Sequence, residues 1–415
     1  MKPLRVCIFT ETYYPVVGGG ETQARLLAEG LIANGHSVMI LTRRSDRSLK
    51  KQERYGSVTV HRLPPAGRGH LKKWGLLLSS LPALIKLHGQ YDLIFVSGFR
   101  IIGITAVLAS ILFNKRVILK ADSQGELSGD YFSNGLQKFG ISRNWLPFRL
   151  FLGLRNRILK KADAFSAIST DIETEFTSNS IDTGRIHVIP NGVDTDRFFP
   201  VSLEQKTLLR NTLGLPTTAI VVVYTGRLVS YKGLPLLLEV WRELCGKRDD
   251  IRLLFLGTGG LDMHNCEAEL RIFVETHGLE PYVRFTGSVQ NVPEYLQASD
   301  IFAFPTEDDA FPSSLVEAMA CSLPVITTPV GALKTIVKDG HNGLVVQPGD
   351  FQQLYQALDT LMTDTSLASR LGLAASKTVQ SCYSSDIVTK KYLTLFHHTA
   401  VASSSLLSSE KEKIG

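Results

Sequence analysis

The strongest constraint on the fold is an alternation of short strands, rich in β-branched residues, with longer stretches of helical spacing. In the first part of the chain, strands are predicted at Val6–Thr10, Val38–Thr42, Val58–Leu63, Leu93–Ser97 and Val117–Lys120. The stretch Glu21–Asn34 has helical spacing and is followed by Gly35, a residue type that commonly terminates helices. Parallel strands joined by helices predict a doubly wound α/β domain.

The same alternation restarts after a turn-rich segment, Ile189–Val193, which suits a linker. A helix is predicted at Pro235–Leu244, and the second set of strands is predicted at Ile220–Thr225, Arg252–Leu256, Val283–Thr286, Ile301–Phe304 and Val325–Thr327. We therefore predict two Rossmann-like domains, residues 1–188 and 189–379, with a helix at about 380–400 that returns to the first domain. The Ser-rich segment 402–415 is predicted to be disordered.

The composition is that of a globular protein, with 44% hydrophobic and 20% charged residues among 415. The longest nearly unbroken apolar run, Ile101–Phe113, is shorter than the roughly 20 residues of a membrane-spanning helix, and we predict a buried helix there. The N-terminal residues Met1–Phe9 lack the long apolar region of a secretory signal. The five cysteines form no CxxC pair. These features predict a cytoplasmic protein with reduced thiols.

The charge is distributed unevenly along the chain. Residues 1–200 contain 27 Lys and Arg against 16 Asp and Glu, a net +11, and residues 201–415 contain 18 against 23, a net −5. The segment 138–162 has cations interleaved with large apolar residues and no acid, which predicts a surface for anionic membrane and a peripheral location. His70–Gly89 is a weaker second example. Helices packed on a sheet with basic outer faces are the competing interpretation. No nucleic-acid motif accompanies the charge, so nucleic acid is not an expected partner.

A glycine-rich loop, Gly18–Gly20, lies between the first predicted strand and the first predicted helix. Glycines at this place let backbone N–H groups approach a phosphate, and the helix N-terminus adds partial positive charge. The loop has neither the GxGxxG spacing of dinucleotide-binding turns nor the Lys-Ser/Thr of a P-loop. Taken alone, it is better explained as a plain tight turn.

Two cations follow the predicted strand Ile220–Thr225: Arg227 comes directly after Gly226, and Lys232 directly before Gly233. At the carboxyl end of a strand, a planar guanidinium fork and an ammonium point charge can grip a diphosphate. Two solvated surface cations are the competing interpretation. The flanking glycines favour the diphosphate site.

An acidic loop runs from the predicted strand Ile301–Phe304 into a helix predicted to begin near Ser313. Asp309 and Glu317 are spaced so that a folded loop can turn both towards one ligand. The unpaired N–H groups at the helix start can hold a phosphate. A solvated loop or a helix cap at Glu307–Asp309 is the competing interpretation.

Taken in this order, the three motifs resemble those of the retaining glycosyltransferases of family 4. These enzymes have the GT-B fold, in which two Rossmann-like domains face each other with a cleft between. The resemblance covers about residues 4–400. It also includes Ile189-Pro190-Asn191-Gly192-Val193-Asp194, Phe285-Thr286-Gly287 and Leu315-Val316-Glu317-Ala318-Met319-Ala320-Cys321. The combination is highly specific, whereas no single motif is.

The resemblance implies roles in binding a nucleotide-diphosphate sugar. Arg227 and Lys232 match the cations that hold the diphosphate, and Glu317 matches the acid that holds the ribose hydroxyls. Asp309 stands beside the donor sugar, where the family has a Glu, and completes a catalytic set with Arg227 and Lys232. The further donor-binding positions that the resemblance implies are Gly18, Gly19, Val289, Phe311, Pro312, Ser313, Ser314 and Leu315.

Two positions depart from the family pattern. Asp309 is one methylene shorter than Glu, which reduces its reach towards the sugar hydroxyls. Many family members have a His after the strand that here ends at Lys120, and Asp122 is the nearest polar candidate for the sugar and acceptor side. A strand-end cap explains Asp122 as well. The sequence Asp194-Thr195-Asp196 mimics a metal-binding DxD motif but follows the linker, so we interpret it as turn residues.

The predicted function is a retaining transfer of a sugar from a UDP- or GDP-sugar to a hydroxyl of a sugar, polysaccharide or lipid-linked acceptor. Cell-surface polysaccharide or glycolipid synthesis is the expected context. No cofactor and no metal are expected, because the donor is a substrate and two cations offset the diphosphate charge. A catalytically silent binding subunit, or a GT-B phosphorylase or epimerase that uses the same cleft, is the alternative.

Overall fold

The computed structural model describes residues 3–16, 18–67, 70–132 and 145–411, without the side chains of 70–73 and 401–411. The chain divides into two compact units. The first unit comprises Met1–Gly192 with Ser385–Gly415, and the second comprises Val193–Ser384. These boundaries lie a few residues beyond the predicted ones at 188 and 379.

The first unit contains an eight-stranded sheet. Its strands are β1 (Arg5–Thr10), β2 (Ser37–Arg43), β3 (Gln52–Tyr55), β4 (Val58–Leu63), β5 (Leu93–Ser97), β6 (Arg116–Lys120), β7 (Ala164–Ala167) and β8 (Ile186–Val188). The strand order is β3-β4-β2-β1-β5-β6-β7-β8, and every pairing is parallel except that of β3 with β4. The helices are α1 (Gly19–Ala33), α2 (His70–Leu87), α3 (Ile102–Phe113), α4 (Leu146–Leu159) and α5 (Thr170–Ser178), with a C-terminal helix at Ser385–Lys411.

The two faces of this sheet are covered by different helices. Ile118 of β6 lies in a buried cluster with Leu27 and Leu31 of α1 and Phe396 of the C-terminal helix. The next residue, Leu119, packs against Gly103 of α3. Because successive side chains of a strand point to opposite faces, α3 covers the other side of the sheet. The C-terminal helix is therefore part of the core of the first unit.

The second unit contains a six-stranded, fully parallel sheet. Its strands are β9 (Ile220–Thr225), β10 (Ile251–Leu256), β11 (Val283–Gly287), β12 (Ile301–Phe304), β13 (Val325–Thr327) and β14 (Leu344–Val345), in the order β11-β10-β9-β12-β13-β14. The helices are α6 (Leu203–Leu213), α7 (Leu234–Cys245), α8 (Glu267–Thr276), α9 (Val292–Ala298), α10 (Ser313–Ala320), α11 (Leu333–Ile336), α12 (Phe351–Thr363) and α13 (Thr365–Cys382); the C-terminal helix of the first unit follows as α14. The carboxyl ends of β9, β10 and β12 share one edge, because the strands are parallel.

Several predictions of local structure need correction. The apolar run Ile101–Phe113 is helical but only partly buried: Ile102, Ala106 and Val107 are buried, whereas Leu108, Ile111 and Leu112 are exposed. Because the run is uniformly apolar, its sequence does not indicate which side of the helix faces the sheet. The backbone is helical as far as Lys411, so the segment predicted to be disordered continues α14, and residues 412–415 lie outside the described part. None of the described helices is both long and apolar enough to cross a bilayer.

Candidate functional site

The first part of the candidate site is the turn after β9. Ser230–Lys232 forms a short 3₁₀ turn, and Gly233 then precedes α7 with a φ of 70°. A Cβ atom on Gly233 would lie 2.0 Å from the carbonyl oxygen of Pro305. Only glycine fits this close approach, which brings the turn against the loop that follows β12.

Arg227 is the more exposed of the two predicted cations, with 61% of its side-chain surface accessible. Its guanidinium group forms an ion pair with Asp262 in the loop after β10. It also donates a hydrogen bond of 2.8 Å to the Tyr231 hydroxyl. The two contacts fix the direction of a long side chain at the carboxyl end of β9. The sequence gives no local signal for Asp262, because its partner lies far along the chain.

Lys232 is nearly enclosed, with 9% of its side-chain surface accessible. Its Nζ lies 2.8 Å from Asp309 Oδ2 and donates a hydrogen bond of 2.7 Å to the Asp308 carbonyl oxygen. Nζ also lies 4.9 Å from the centroid of the Tyr231 ring. Arg227, Tyr231, Lys232 and Asp309 thus form one connected network, and it contains the whole predicted catalytic set.

Asp309 is held at both carboxylate oxygens. Oδ2 accepts from Lys232, and Oδ1 accepts a hydrogen bond of 3.0 Å from the Phe311 N–H. The adjoining loop is tied down as well, because the Thr306 hydroxyl donates to the Asp308 carbonyl at 2.9 Å. Each carboxylate oxygen can accept a second hydrogen bond. A fixed Asp309 therefore retains the capacity to accept from a sugar hydroxyl.

The start of α10 offers backbone N–H groups. Pro312 precedes the helix and provides no side-chain cap. The N–H groups of Ser313 and Ser314, in the first turn, have no acceptor one turn earlier in the helix. The N–H of Leu315 donates to the Pro312 carbonyl at 3.2 Å. The amide of Ser314 is therefore better placed than that of Leu315 to donate to a phosphate.

Glu317 lies in the second turn of α10. Burial raises the pKa of Glu317 to about 7, and the positive charge of Arg197 only partly offsets this effect. A carboxylate that is desolvated and incompletely paired gains from polar ligands that donate hydrogen bonds to it. Glu317 therefore has the properties expected of a ligand-binding acid. Arg197 was not identified from the sequence.

The two apolar positions predicted to contact the donor differ in environment. Val289 follows β11 and is half-buried. Phe311 is buried, with its ring centroid 6.2 Å from that of Tyr383. The Phe311 side chain thus packs inside the second unit. Its contribution to the candidate site is the N–H that orients Asp309.

The remaining predicted residues lie in the first unit. Gly18 is the N-cap of α1 and Gly19 is its first residue. A Cβ atom on Gly20 would lie 3.7 Å from Asp122 Oδ2, and one on Gly98 would lie 3.2 Å from it. The carboxyl ends of β1, β5 and β6 therefore bring Asp122 beside the glycine loop, as their parallel pairing requires.

Asp122 is oriented by two neighbours that the sequence analysis did not select. The Ser97 hydroxyl donates to Oδ2 at 2.8 Å, and buried Lys120 forms an ion pair with Oδ1. Burial by itself lowers the pKa of Lys120, but the adjacent Asp122 carboxylate outweighs this and raises it above its ordinary value. Ser97 and Lys120 are the last residues of two neighbouring strands. This position at the strand ends is the one feature of the sequence that predicts that they lie close together.

Asp194–Asp196 adopts the predicted turn, with the Asp196 N–H donating to Asp194 Oδ1 at 3.2 Å. Across the described ranges, no group of three or more His, Cys, Asp or Glu side chains is arranged to hold a metal ion.

Comparison with known proteins identifies the class. Residues 17–197 match the model of Glycosyltransferase Family 4, and residues 205–378 match that of Glycosyl transferases group 1. The chain is 31% identical to D-inositol 3-phosphate glycosyltransferase of Corynebacterium urealyticum over 69% of this chain and 66% of that relative, just under two thirds of its length. It is 25% identical to the capsular polysaccharide biosynthesis glycosyltransferase CapM of Staphylococcus aureus, over 84% of this chain and 87% of that relative.

Solved structures show the same fold. Sucrose-phosphate synthase of Thermosynechococcus elongatus superposes with a TM-score of 0.78 at 22% identity, covering 96% of this chain and all of that one (100%). Anabaena HepE, in complex with UDP and glucose, superposes with a TM-score of 0.74 at 19% identity, covering 95% and 99%. The fold is therefore that of the GT-B glycosyltransferases, as predicted. The chain belongs to the group 1 glycosyltransferases of family 4.

Proposed function

We propose that this chain transfers a sugar from a nucleotide-diphosphate sugar to an acceptor hydroxyl with retention of configuration and without a metal. The observation that carries the proposal is the network of Arg227, Tyr231, Lys232 and Asp309 at the carboxyl end of β9. Two cations in fixed positions, with an oriented carboxylate beside them, suit a diphosphate that bears a sugar.

The proposed reaction breaks the bond between the anomeric carbon and the diphosphate oxygen. The acceptor oxygen forms a bond to the same carbon on the same face, and its proton passes to the leaving phosphate oxygen. No protein nucleophile is needed. Arg227, Lys232 and the N–H of Ser314 would stabilise the charge that develops on the diphosphate, which is commonly the largest catalytic effect. The glycine loop at Gly18 and Gly19 would contribute N–H groups in the same way.

Glu317 and Asp309 would bind the two ends of the donor. A nucleoside ribose presents two hydroxyl donors, and ionised Glu317 can accept from both. Asp309 would accept from the donor sugar, held in place by Lys232 and the Phe311 N–H. Asp122 would accept hydrogen bonds on the sugar and acceptor side, oriented by Ser97 and Lys120.

The substrates are proposed by class. Binding of UDP and glucose by Anabaena HepE supports a UDP-sugar donor, with a GDP-sugar as the other candidate. Similarity to CapM, a capsular polysaccharide biosynthesis glycosyltransferase, supports a polysaccharide acceptor, and a lipid-linked acceptor is proposed as the other candidate. The proposed setting is cell-surface polysaccharide or glycolipid synthesis on the cytoplasmic side of a membrane.

The test is turnover of purified protein on UDP- and GDP-sugars, with and without sugar acceptors, in the presence of EDTA. We expect donor cleavage that survives EDTA and a product with the anomeric configuration of the donor, read by NMR. An inverted product, or activity that requires added metal, contradicts the corresponding part of the proposal. Donor binding with no cleavage in any condition would instead identify a silent binding subunit.

A further inference from the structure

The outer side of α4 is apolar although it faces solvent. Leu146, Leu150 and Leu154 follow one another at intervals of one helical turn, and each is about two-thirds exposed (64%, 65% and 64%). The opposite side of the helix packs inwards through Phe148 and Leu159. A surface helix of a globular protein normally exposes polar residues, so three large aliphatic side chains in one exposed row are unusual.

The two neighbouring helices continue this surface. Among the described side chains of α2, Trp74 and Leu78 are exposed one turn apart, and Ile85 is exposed two turns further on. On α3 they are Leu108, Ile111 and Leu112. We call the exposed apolar residues of α2, α3 and α4 the outer apolar face.

The three rows belong to one side of the first unit. α3 packs against both α2 and α4. Trp74 of α2 also lies 5.8 Å from Phe151 of α4, measured between ring centroids. The outer apolar face is therefore carried by three helices that pack side by side.

The charges around this face have one sign. The sequences of α2, α3 and α4 contain no Asp or Glu. Exposed cations border the apolar rows: Lys86 at the end of α2, Arg149 and Arg157 on α4, and Lys161 just after it. Arg155, which lies within the predicted membrane segment 138–162, is buried and donates to the Arg100 carbonyl at 2.7 Å, so it is not part of this face. Lys138 and Arg143 lie outside the described residues.

We propose that the outer apolar face docks this protein onto an anionic lipid bilayer, with α2, α3 and α4 lying along its surface. Aliphatic and Trp side chains would enter the interface between head groups and acyl chains, and the bordering cations would pair with anionic head groups. A protein partner would require acids to complement these cations, whereas a bilayer supplies negative charge everywhere along the face. The proposal concerns location and does not depend on the transfer reaction.

The second unit provides matched controls. Leu203 and Leu208 on α6 are as exposed as the leucines of α4, at 79% and 66%, but Glu204 lies between them. Lys247 and Lys377 are exposed cations of the same unit. The same substitutions at these positions change exposed hydrophobicity and charge without touching the proposed membrane face.

The experiment is flotation of the full chain with vesicles of phosphatidylcholine alone and of phosphatidylcholine mixed with phosphatidylglycerol. We expect the protein to float with the mixed vesicles and to remain largely free with phosphatidylcholine. Leu150→Ser with Leu154→Ser should reduce partition at least about tenfold. Arg149→Glu with Arg157→Glu should reduce it by about 25-fold or more. Leu203→Ser with Leu208→Ser, and Lys247→Glu with Lys377→Glu, should leave it within about twofold.

Three results would overturn the proposal. The first is equal flotation with both vesicle types, and the second is equal loss of flotation in the variants and their controls. The third is a dimer in solution that the Leu150/Leu154 variant converts to monomer, which would show that a second copy covers this face. Thermal shift by a nucleotide sugar should be the same in the wild type and the α4 variants. It verifies folding and separates failure of this proposal from failure of the proposed transfer reaction.

Discussion

At the scale of single residues, the candidate site depends on charged groups held by partners distant in sequence. Lys232 meets Asp309, and Arg227 meets Asp262. The two cations differ in a way that the sequence does not disclose, because one is enclosed and the other is exposed. Their substitution should therefore affect stability differently while affecting the proposed transfer in the same direction.

Arg227→Ala and Lys232→Ala should each lower turnover at least about tenfold, because each removes positive charge from the leaving diphosphate. Arg227→Ala should lower the melting temperature less than Lys232→Ala does, because the Arg227 side chain is largely exposed although its partner Asp262 is not. Lys232→Ala leaves Asp309 without its cation in an enclosed site and should lower the melting temperature as well. Steady-state rates and thermal unfolding measure the two effects. Wild-type rates in both variants would exclude the proposed role of Arg227 and Lys232 in binding the diphosphate.

Glu317 makes donor binding dependent on pH. With a pKa raised to about 7, it is mostly protonated at about pH 6 and mostly ionised at about pH 8. Because the ionised form accepts both ribose hydroxyls, donor affinity should rise up to about tenfold over this range. Calorimetric titration with a nucleotide-diphosphate sugar, whose own charge stays constant here, measures it. Glu317→Gln should bind weakly and lose this dependence; an unchanged pH profile in that variant would refute the assignment.

Glu317 should also lower the free energy of unfolding when it is ionised. The pKa of Glu317 in the folded state lies above the value of 4.5 for an unperturbed Glu, so folding opposes ionisation. The cost is absent below the unfolded pKa and complete above the folded pKa of about 7. Glu317→Gln should therefore raise the free energy of unfolding by about 1–3 kcal/mol at about pH 8 and much less at about pH 5. Equal effects at the two pH values would contradict the raised pKa.

At the scale of elements, close contacts between loops place the site more than helix or strand propensity does. Gly233 joins the turn after β9 to the loop after β12 because no side chain separates them. Tertiary contacts also set the orientation of α4. Its inward side is fixed by the buried residues Arg155 and Phe148, and its outward side is apolar. Contacts between elements therefore determine where Arg227 and Lys232 come together and which face of α4 is exposed.

Gly233→Ala should destabilise the second unit by about 2–5 kcal/mol, because its Cβ would meet a backbone carbonyl at 2.0 Å and alanine would have to adopt a left-handed backbone. Gly278→Ala is the matched control, since Gly278 has a φ of +63° but no atom within 4 Å of a built Cβ. The control should lose only about 1–2 kcal/mol, the cost of a left-handed backbone for alanine. Denaturant unfolding measures both, and equal losses would mean that the contact with Pro305 is unimportant.

At the scale of the whole molecule, the chain builds the first unit from two distant segments. The C-terminal helix α14 supplies Tyr392 and Phe396 to a core otherwise made by the N-terminal sheet and α1. The Gln23 side chain also exchanges two hydrogen bonds of 2.8 Å with the backbone of Gly192, at the end of the first segment. The first unit is thus complete only after the second has been synthesised.

Phe396→Ala should lower the free energy of unfolding of the first unit by about 3–5 kcal/mol, because it opens a cavity in that core. Leu373→Ala, at an exposed position of α13, should change it by less than about 1 kcal/mol. A donor that binds the second unit should raise the melting temperature of that unit. Thermal unfolding with and without a nucleotide sugar therefore distinguishes the two units. A small effect of Phe396→Ala would show that α14 is only peripheral to the core.

Hydrophobic periodicity and turn residues act over a few positions, so they were enough to predict the fold class and most strands. The family followed from the resemblance of the motifs. The same motifs selected Arg227, Lys232, Asp309 and Glu317 as site candidates, and their roles stay predictions. Three further features are visible only in the folded chain: Lys232 is enclosed by Asp309, Ser97 and Lys120 orient Asp122, and α3 exposes Leu108, Ile111 and Leu112. Burial and pairing depend on which distant segments meet, and a uniformly apolar helix carries no mark of the side that the sheet will cover.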